Sequence, residues 1–294
     1  LPPENAPAIL LAFAEATMST VIRLAHSPDS DDAFMFYALA KGCIDTEGLT
    51  FVHQMGDIQS LNERALKGEL EVTAISFHAY AYLADRYLLL PHGASFGDGY
   101  GPMVIAREPM PVSALKGLRV AIPGRMTTAY LALQLAEKDF TPVFMDFDAI
   151  LPAVRAGEIP AGLIIHEGQL TYAREGLHLV VDTGVWWKER TGLPLPLGGN
   201  AIRKDLGPEL VARTSRLLGA SIEYGLAHRE AALDYALQFG RGLSRQEADT
   251  FVGMYVNDWT RAYGARGREA VQRLLDESFS AGLIPKKVTA EFSE

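Results

Sequence analysis

A chain of 294 residues exceeds one typical domain of roughly 100–200 residues, so two compact domains are the first expectation. Hydrophobic residues make up 48% of it and charged residues 21%, which excludes the polar, highly charged composition of a disordered chain. A net charge of −9 without any basic run speaks against a nucleic-acid partner, because phosphate binding relies on clustered Lys and Arg.

Residues 6–14 form the longest apolar run, well short of the ~20 residues that cross a bilayer, so no membrane partner is expected. The run imitates the core of an export signal, and Phe13, Ala14, Glu15 and Ala16 loosely imitate a cleavage site. However, Pro2, Pro3, Glu4 and Asn5 stand where such a signal carries basic residues, and Met18 runs directly into a strand pattern. Residues 1–18 are therefore read as an N-terminal extension. Cys43 is the only cysteine, which excludes an intrachain disulfide and a thiolate zinc site and fits a cytoplasmic location.

From Val21 onward, short β-branched runs alternate with helical patterns, the signature of an α/β fold with largely parallel sheets. A strand over 21–26 leads through Ser27, Pro28, Asp29, Ser30 and Asp31 into a helix beginning near Asp32. A strand over 49–55 and a helix over 58–67, stopped by Gly68, come next. A third strand, 70–76, precedes a helix over 78–87. Residues 88–109 carry a strand, a Gly-rich turn over 97–102 and another strand over 103–108. After Pro109 and Pro111 the pattern restarts, with strands over 117–124, 142–147 and 161–166 and helices over 127–138 and 149–156. The prolines and glycines of 191–199 predict irregular chain, followed by a short return strand over 200–203. Everything after Pro208 reads as helical, with faces over 210–229, 231–239, 245–255 and 269–281.

This order predicts a discontinuous α/β domain from residues 19–107 and 199–294, carrying the C-terminal helices, and an inserted α/β domain over 108–198. The chain would cross between them near 103–108 and 198–203. By fold-level analogy this is a two-domain, periplasmic-binding-protein-like fold of the second type. Its ligand cleft lies between the domains, at the carboxyl ends of the strands.

The strand-end loops then supply the candidate site. Asp29, Ser30 and Asp31 sit beside a helix start, where they either meet a polar substrate group or cap the helix. Ser76, with Ala74 and Ile75, ends the third strand and either faces the cleft or forms a turn. Gly101 permits close backbone approach to a ligand, although a tight turn asks equally for glycine. Thr127 and Thr128 open a helix directly after a strand, which makes an anion cradle or a simple cap. No Gly-Lys-Ser or Gly-Lys-Thr follows there, so nucleotide hydrolysis has no support. His166 ends an apolar strand, where an imidazole serves as a general base or as a hydrogen-bonded structural histidine. A His-Glu-x-x-His helix, an EF-hand loop and a G-x-S-x-G elbow are all missing, so no metal and no serine hydrolase is indicated.

Six blocks, in order, resemble the 1,4-dihydroxy-6-naphthoate synthase family. They are HSPDSDDAFMFYAL (26–39), TAISFHAYAYLADRY (73–87), GYGPMVIAR (99–107), VAIPGRMTTAYLAL (120–133), AGLIIHEGQLTYAREGL (161–177) and VVDTGVWWKERTGLPLPLGG (180–199). The likeness runs from about Val21 to Phe279. It implies a lyase of the futalosine route to menaquinone that takes a small-molecule substrate, cyclic dehypoxanthinyl futalosine, and releases 1,4-dihydroxy-6-naphthoate with a sugar-derived fragment. Aromatisation of the product supplies driving force, and the family needs neither metal nor redox cofactor. The family's proton acceptor falls on His166, and its substrate-contacting segments fall on Ala74 to Ser76 and on Thr127 and Thr128. This chain has Ala74 where some relatives have Lys, and Asp31 where some have Asn. The alternatives are a non-catalytic solute-binding protein for a small anion, sharing the fold, and the chorismate dehydratase of the same pathway.

Overall fold

The computed structural model describes residues 20–239 and 244–294. The expectations for residues 1–18, including the apolar run and the imitation cleavage site, lie outside the described residues.

The first series contains β1 (Thr20–His26), α1 (Ser30–Met35), α2 (Tyr37–Ala40), β2 (Leu49–Met55), α3 (Ile58–Lys67), β3 (Val72–Ser76), α4 (Phe77–Leu83), β4 (Tyr87–Leu89) and β5 (Ser95–Gly97). The second contains β6 (Met103–Ala106), β7 (Arg119–Ile122), α5 (Thr128–Ala136), β8 (Thr141–Phe144), α6 (Phe147–Ala156), β9 (Ala161–Ile164), α7 (Gly168–Thr171), β10 (His178–Asp182) and α8 (Thr183–Thr191). The chain closes with β11 (Leu195–Arg203), α9 (Pro208–Ala227), α10 (Arg229–Ala236), α11 (Arg245–Tyr255), α12 (Asp258–Arg261) and α13 (Gly264–Ser280).

Two sheets result, each with its own helices. The first runs β2-β1-β3-β11-β4, with β5 also on β11; the second runs β10-β6-β9-β7-β8. β3 is buried along its whole length, as a strand covered on both faces must be. The C-terminal helices complete the first lobe: Leu217, Leu218 and Ile222 of α9 and Val252 of α11 share a core with Ile22, Leu24, Val72 and Ile202. A separate core of Val104, Val120, Ile122, Leu133 and Leu163 holds the second lobe.

The sheets are mixed rather than largely parallel. β1 is parallel to β2 and β3, and β7 to β8 and β9. β11 is antiparallel to β3, β4 and β5, and β6 to β9 and β10. These two strands carry the chain from one sheet into the other, so they enter without the crossover helix that parallel pairing within a sheet requires. Because β6 pairs into the second sheet, the chain leaves the first over residues 98–102, ahead of the 103–108 expected. It returns over 183–194, through α8, ahead of the expected 198–203.

Three local expectations are corrected. The segment over 191–199 becomes strand from Leu195, because Pro196 faces the short β5 and the ladder shifts register between Pro196 and Gly198, which accommodates the missing N–H. The helix expected over 78–87 stops at Leu83, since Tyr87 pairs with Arg203 of β11 and tertiary pairing overrides helical pattern. Beyond Ser280 the chain is not helical but returns to lay Phe292 beside Leu89 as an isolated bridge. No helix of the described residues is long and apolar enough to cross a membrane.

Candidate active site

Strand ends of both sheets converge on one cavity that leaves about 120 Å³ for the centres of water-sized molecules. Its lining comes from the segments after β1 (Ser27, Asp29, Asp31, Asp32), at the end of β3 (Ala74, Ile75, Ser76), after β7 (Thr127, Thr128, Ala129) and after β9 (Ile165, His166, Gln169). Leu197 to Asn200 of β11 and Phe251 and Tyr255 of α11 also line it.

His166 leaves β9 with φ 57°, in the left-handed region that costs a non-glycine residue about 1–3 kcal/mol and calls for local support. Gln169 supplies that support. Its backbone N–H donates to His166 O at 3.2 Å. Its side-chain amide, oriented to satisfy both ends, accepts from His166 N at 3.3 Å and from the Tyr255 hydroxyl at 3.0 Å and donates to Gly101 O at 2.7 Å. The imidazole packs edge-on against Phe147 with ring centres 4.9 Å apart, and its Nδ1 lies 3.1 Å from Asp29 Oδ2. Burial pushes the Tyr255 hydroxyl above the ordinary phenol range, so at neutral pH it is an uncharged donor.

The wall around Asp29 is acidic. The Ser27 N–H donates to Asp32 Oδ2 at 2.7 Å, and the Ser27 hydroxyl donates to Asp29. Burial pushes Asp32 up to about 7, with the Asp29 charge adding to the shift and the Ser27 N–H opposing it. Burial, then the charges of Asp32, Asp29 and Glu167, hold Asp31 well above the carboxylate range. His26, at the end of β1, is pushed down to about 4 by burial and lies with Nε2 3.3 Å from His53 Nδ1.

Another part of the lining, around Thr127, Thr128 and Ser76, is uncharged and rich in donors. Thr127 caps α5, its hydroxyl accepting from Tyr130 N at 3.2 Å and donating to Gly124 O at 2.9 Å. Thr128 Oγ1 accepts from His78 N at 3.2 Å, and burial keeps the His78 ring neutral by pushing it down to about 4. Ser76 is clamped by Asn62, whose amide donates to Ser76 Oγ at 3.1 Å and accepts from Ser76 N at 3.0 Å. The N–H groups of Thr128 and Ala129, first in α5, have no intrahelical partner, which is the arrangement that receives an anion. Among the described residues no group of three or more His, Cys, Asp or Glu side chains converges as metal ligands.

Of the residues singled out in the sequence, His166, Asp29, Asp31, Ala74, Ile75, Ser76, Thr127 and Thr128 share this cavity. Ser30 and Gly101 do not line it. Ser30 is buried at the first position of α1, and Asp29, rather than Ser30 or Asp31, occupies the N-cap position. Gly101 packs against the start of α8, where an added Cβ would stand 2.9 Å from Gly184 N. Sequence reasoning passed over Ser27, Asp32, Asn62, Gln169, Asn200 and Tyr255. The first two and Gln169 lie inside the strand-end blocks and were findable there, as was Asn200 at the return strand. Asn62 and Tyr255 sit inside ordinary helical patterns and carry no local signal.

Comparison with known proteins adds a second line. A family model described as menaquinone biosynthesis matches residues 22–279. A 1,4-dihydroxy-6-naphthoate synthase of Thermus thermophilus is 46% identical over 262 residues, covering 89% of this chain and 95% of that protein. The enzyme of the same name from Streptomyces coelicolor is 37% identical over 270 residues, covering 90% and 95%. A crystal structure of a protein from Archaeoglobus fulgidus superposes with a TM-score of 0.87 at 49% identity, covering 90% of this chain and 98% of that one. The alkanesulfonate-binding protein of Xanthomonas axonopodis superposes with a TM-score of 0.70 at 15% identity, over 94% and 98%, which shows the periplasmic-binding-protein-like fold and no more.

Proposed function

The chain belongs to the menaquinone-biosynthesis family, and on that premise we propose that it is a lyase that converts cyclic dehypoxanthinyl futalosine to 1,4-dihydroxy-6-naphthoate, with His166 as the general base. One observation carries the reading: the imidazole of His166 and the helix start at Thr128 and Ala129 line a single cavity between the two lobes. A base and an anion cradle in one cavity suit a substrate with an acidic proton at one end and a carboxylate at the other. The donor groups receive the carboxylate, which leaves the rest of the substrate to reach His166. Removal of one proton by His166 leaves its electron pair on the substrate, expels the sugar-derived fragment and makes the ring system aromatic. Ser76, Thr127 and Thr128, with Ala74 and Ile75, line the same pocket and are the proposed substrate contacts. A cytoplasmic reaction fits a chain whose single cysteine, Cys43, leaves no disulfide to form.

The test is incubation of purified protein with cyclic dehypoxanthinyl futalosine and, separately, with chorismate, following the aromatic product by absorbance. Turnover of the first alone is expected. No turnover of the first overturns the proposal, and turnover of chorismate alone points to the dehydratase.

A further inference from the structure

The geometry points to Asp29 as the residue that positions His166 for proton removal, reaching it from the opposite lobe. The inference rests on His166 being the base. Asp29 follows β1 of the first sheet, His166 follows β9 of the second, and Oδ2 of the one lies 3.1 Å from Nδ1 of the other. An ionised carboxylate can only accept, so Nδ1 carries the hydrogen and Nε2 keeps its lone pair, the tautomer a base needs.

Two further observations support the assignment. Asp29 occupies the N-cap position of α1, where an Asp side chain ordinarily caps, yet its carboxylate makes no capping bond. Ser27 fixes that carboxylate instead, donating its hydroxyl to Asp29 while its N–H goes to Asp32. Because the two partners belong to different lobes, the base is oriented where the lobes meet. When Nε2 takes the substrate proton, the electron pair of the broken bond stays on the substrate, and the positive charge on the imidazole forms beside the Asp29 carboxylate. Asp31, Asp32 and Glu167 are the other acidic groups gathered at this wall, and their charges bear on one another.

Asp29→Asn, assayed beside His166→Asn, tests this. Asp29→Asn is expected to lower kcat roughly 10- to 100-fold with KM changed less than about threefold, the split of a residue that acts on the transition state through another. Nitrogen NMR of ring-labelled histidine, with saturating 1,4-dihydroxy-6-naphthoate, should show His166 protonated on Nδ1 in the wild type and on Nε2 in Asp29→Asn. Asp29→Glu should recover part of kcat. An Asp29→Asn protein with wild-type kcat and an unchanged His166 signal, while His166→Asn is inactive, overturns this inference and leaves the base in place. Full activity in His166→Asn sinks the base itself. If Asp29→Asn fails to fold, Ser27→Ala carries the test: a lowered kcat with the same NMR change supports the assignment, and an unchanged kcat overturns it.

Discussion

Both walls of the cleft use the same device, a strand end running into a helix start, for opposite purposes. At β7–α5 the N-cap residue Thr127 caps its helix, Thr128 binds a backbone amide, and bare N–H groups are left at the helix start. At β1–α1 the N-cap residue Asp29 does not cap, and its side chain reaches across to an imidazole on the other lobe. The first arrangement is neutral and donates; the second gathers Asp31 and Asp32, whose carboxyl groups burial and neighbouring charge push above the usual carboxylate range. On the proposed function, one fold element serves as a binding surface where its N-cap residue caps its own helix, and as a proton-transfer surface where its N-cap residue turns to the other lobe.

The contrast is broken most directly at His166. His166→Asn keeps a polar side chain of similar reach but removes the base, so kcat should fall about 10²- to 10⁴-fold. Product affinity, measured by titration calorimetry, should change less than about threefold, since the proposed role is made in the transition state alone. A variant that loses affinity and rate together would move His166 to the binding wall.

The cavity positions of His166, Thr127 and Thr128 were legible in the sequence because each stands where an apolar strand gives way to a helical pattern. Their proposed roles were not, since a structural histidine and simple caps fitted the residues at least as well and only the family resemblance favoured the functional reading. The order of the two α/β series was legible from the same local alternation of strand and helix. Asn62 was not, because its clamp on Ser76 requires α3 to pack beside β3, which no local pattern announces. Tyr255 reaches Gln169 from a C-terminal helix, across 86 positions of sequence. The strand at Leu195 was hidden by Pro196 and its neighbouring glycines, whose turn-like composition is overruled by the offered edge of β5. Asp29 lay in a recognised loop, but its contact with His166 joins the segment after β1 to the segment after β9 of the other sheet, which no local pattern announces.

The donor wall is tested next by comparing two substitutions at Thr128. Thr128→Val removes the hydroxyl and keeps the N–H; Thr128→Pro removes both. Proline suits this first helical position, since Thr127 before it is already extended, with φ −72° and ψ 144°. A hydrogen bond to a charged group contributes about 1.5–3 kcal/mol, so Thr128→Pro should weaken product binding roughly 10- to 100-fold beyond Thr128→Val. Equal affinities would remove the helix start from carboxylate binding.

On the acidic wall, Asp32 links stability to pH. In the unfolded chain it ionises near 3.8, and in the folded protein near about 7. Between those values the folded state holds the extra proton, so stability present below pH 4 is lost as pH rises through about 7. Asp32→Asn has no proton to lose and keeps an oxygen for the Ser27 N–H. It should exceed the wild type at pH 8 by at least about 1.4 kcal/mol, the free energy of one pKa unit. Urea unfolding should show the gap narrowing toward pH 5; a gap constant with pH would mean that Asp32 is not the group responsible.

The smallest expected effect separates capping from binding on the donor wall itself. Thr127→Val preserves volume but deprives Tyr130 N of its acceptor and Gly124 O of its donor. Loss of an N-cap costs typically about 1 kcal/mol, which urea unfolding resolves as a lowered midpoint. Because the Thr127 hydroxyl is already used at both its donor and its acceptor, product affinity should fall less than in Thr128→Pro. Thr127→Ser should restore the midpoint, since serine caps as well as threonine. The reverse result, an unchanged midpoint with weakened product binding, would assign the hydroxyl to the ligand. It would also erase the difference between the walls, because then neither N-cap residue would be serving its own helix.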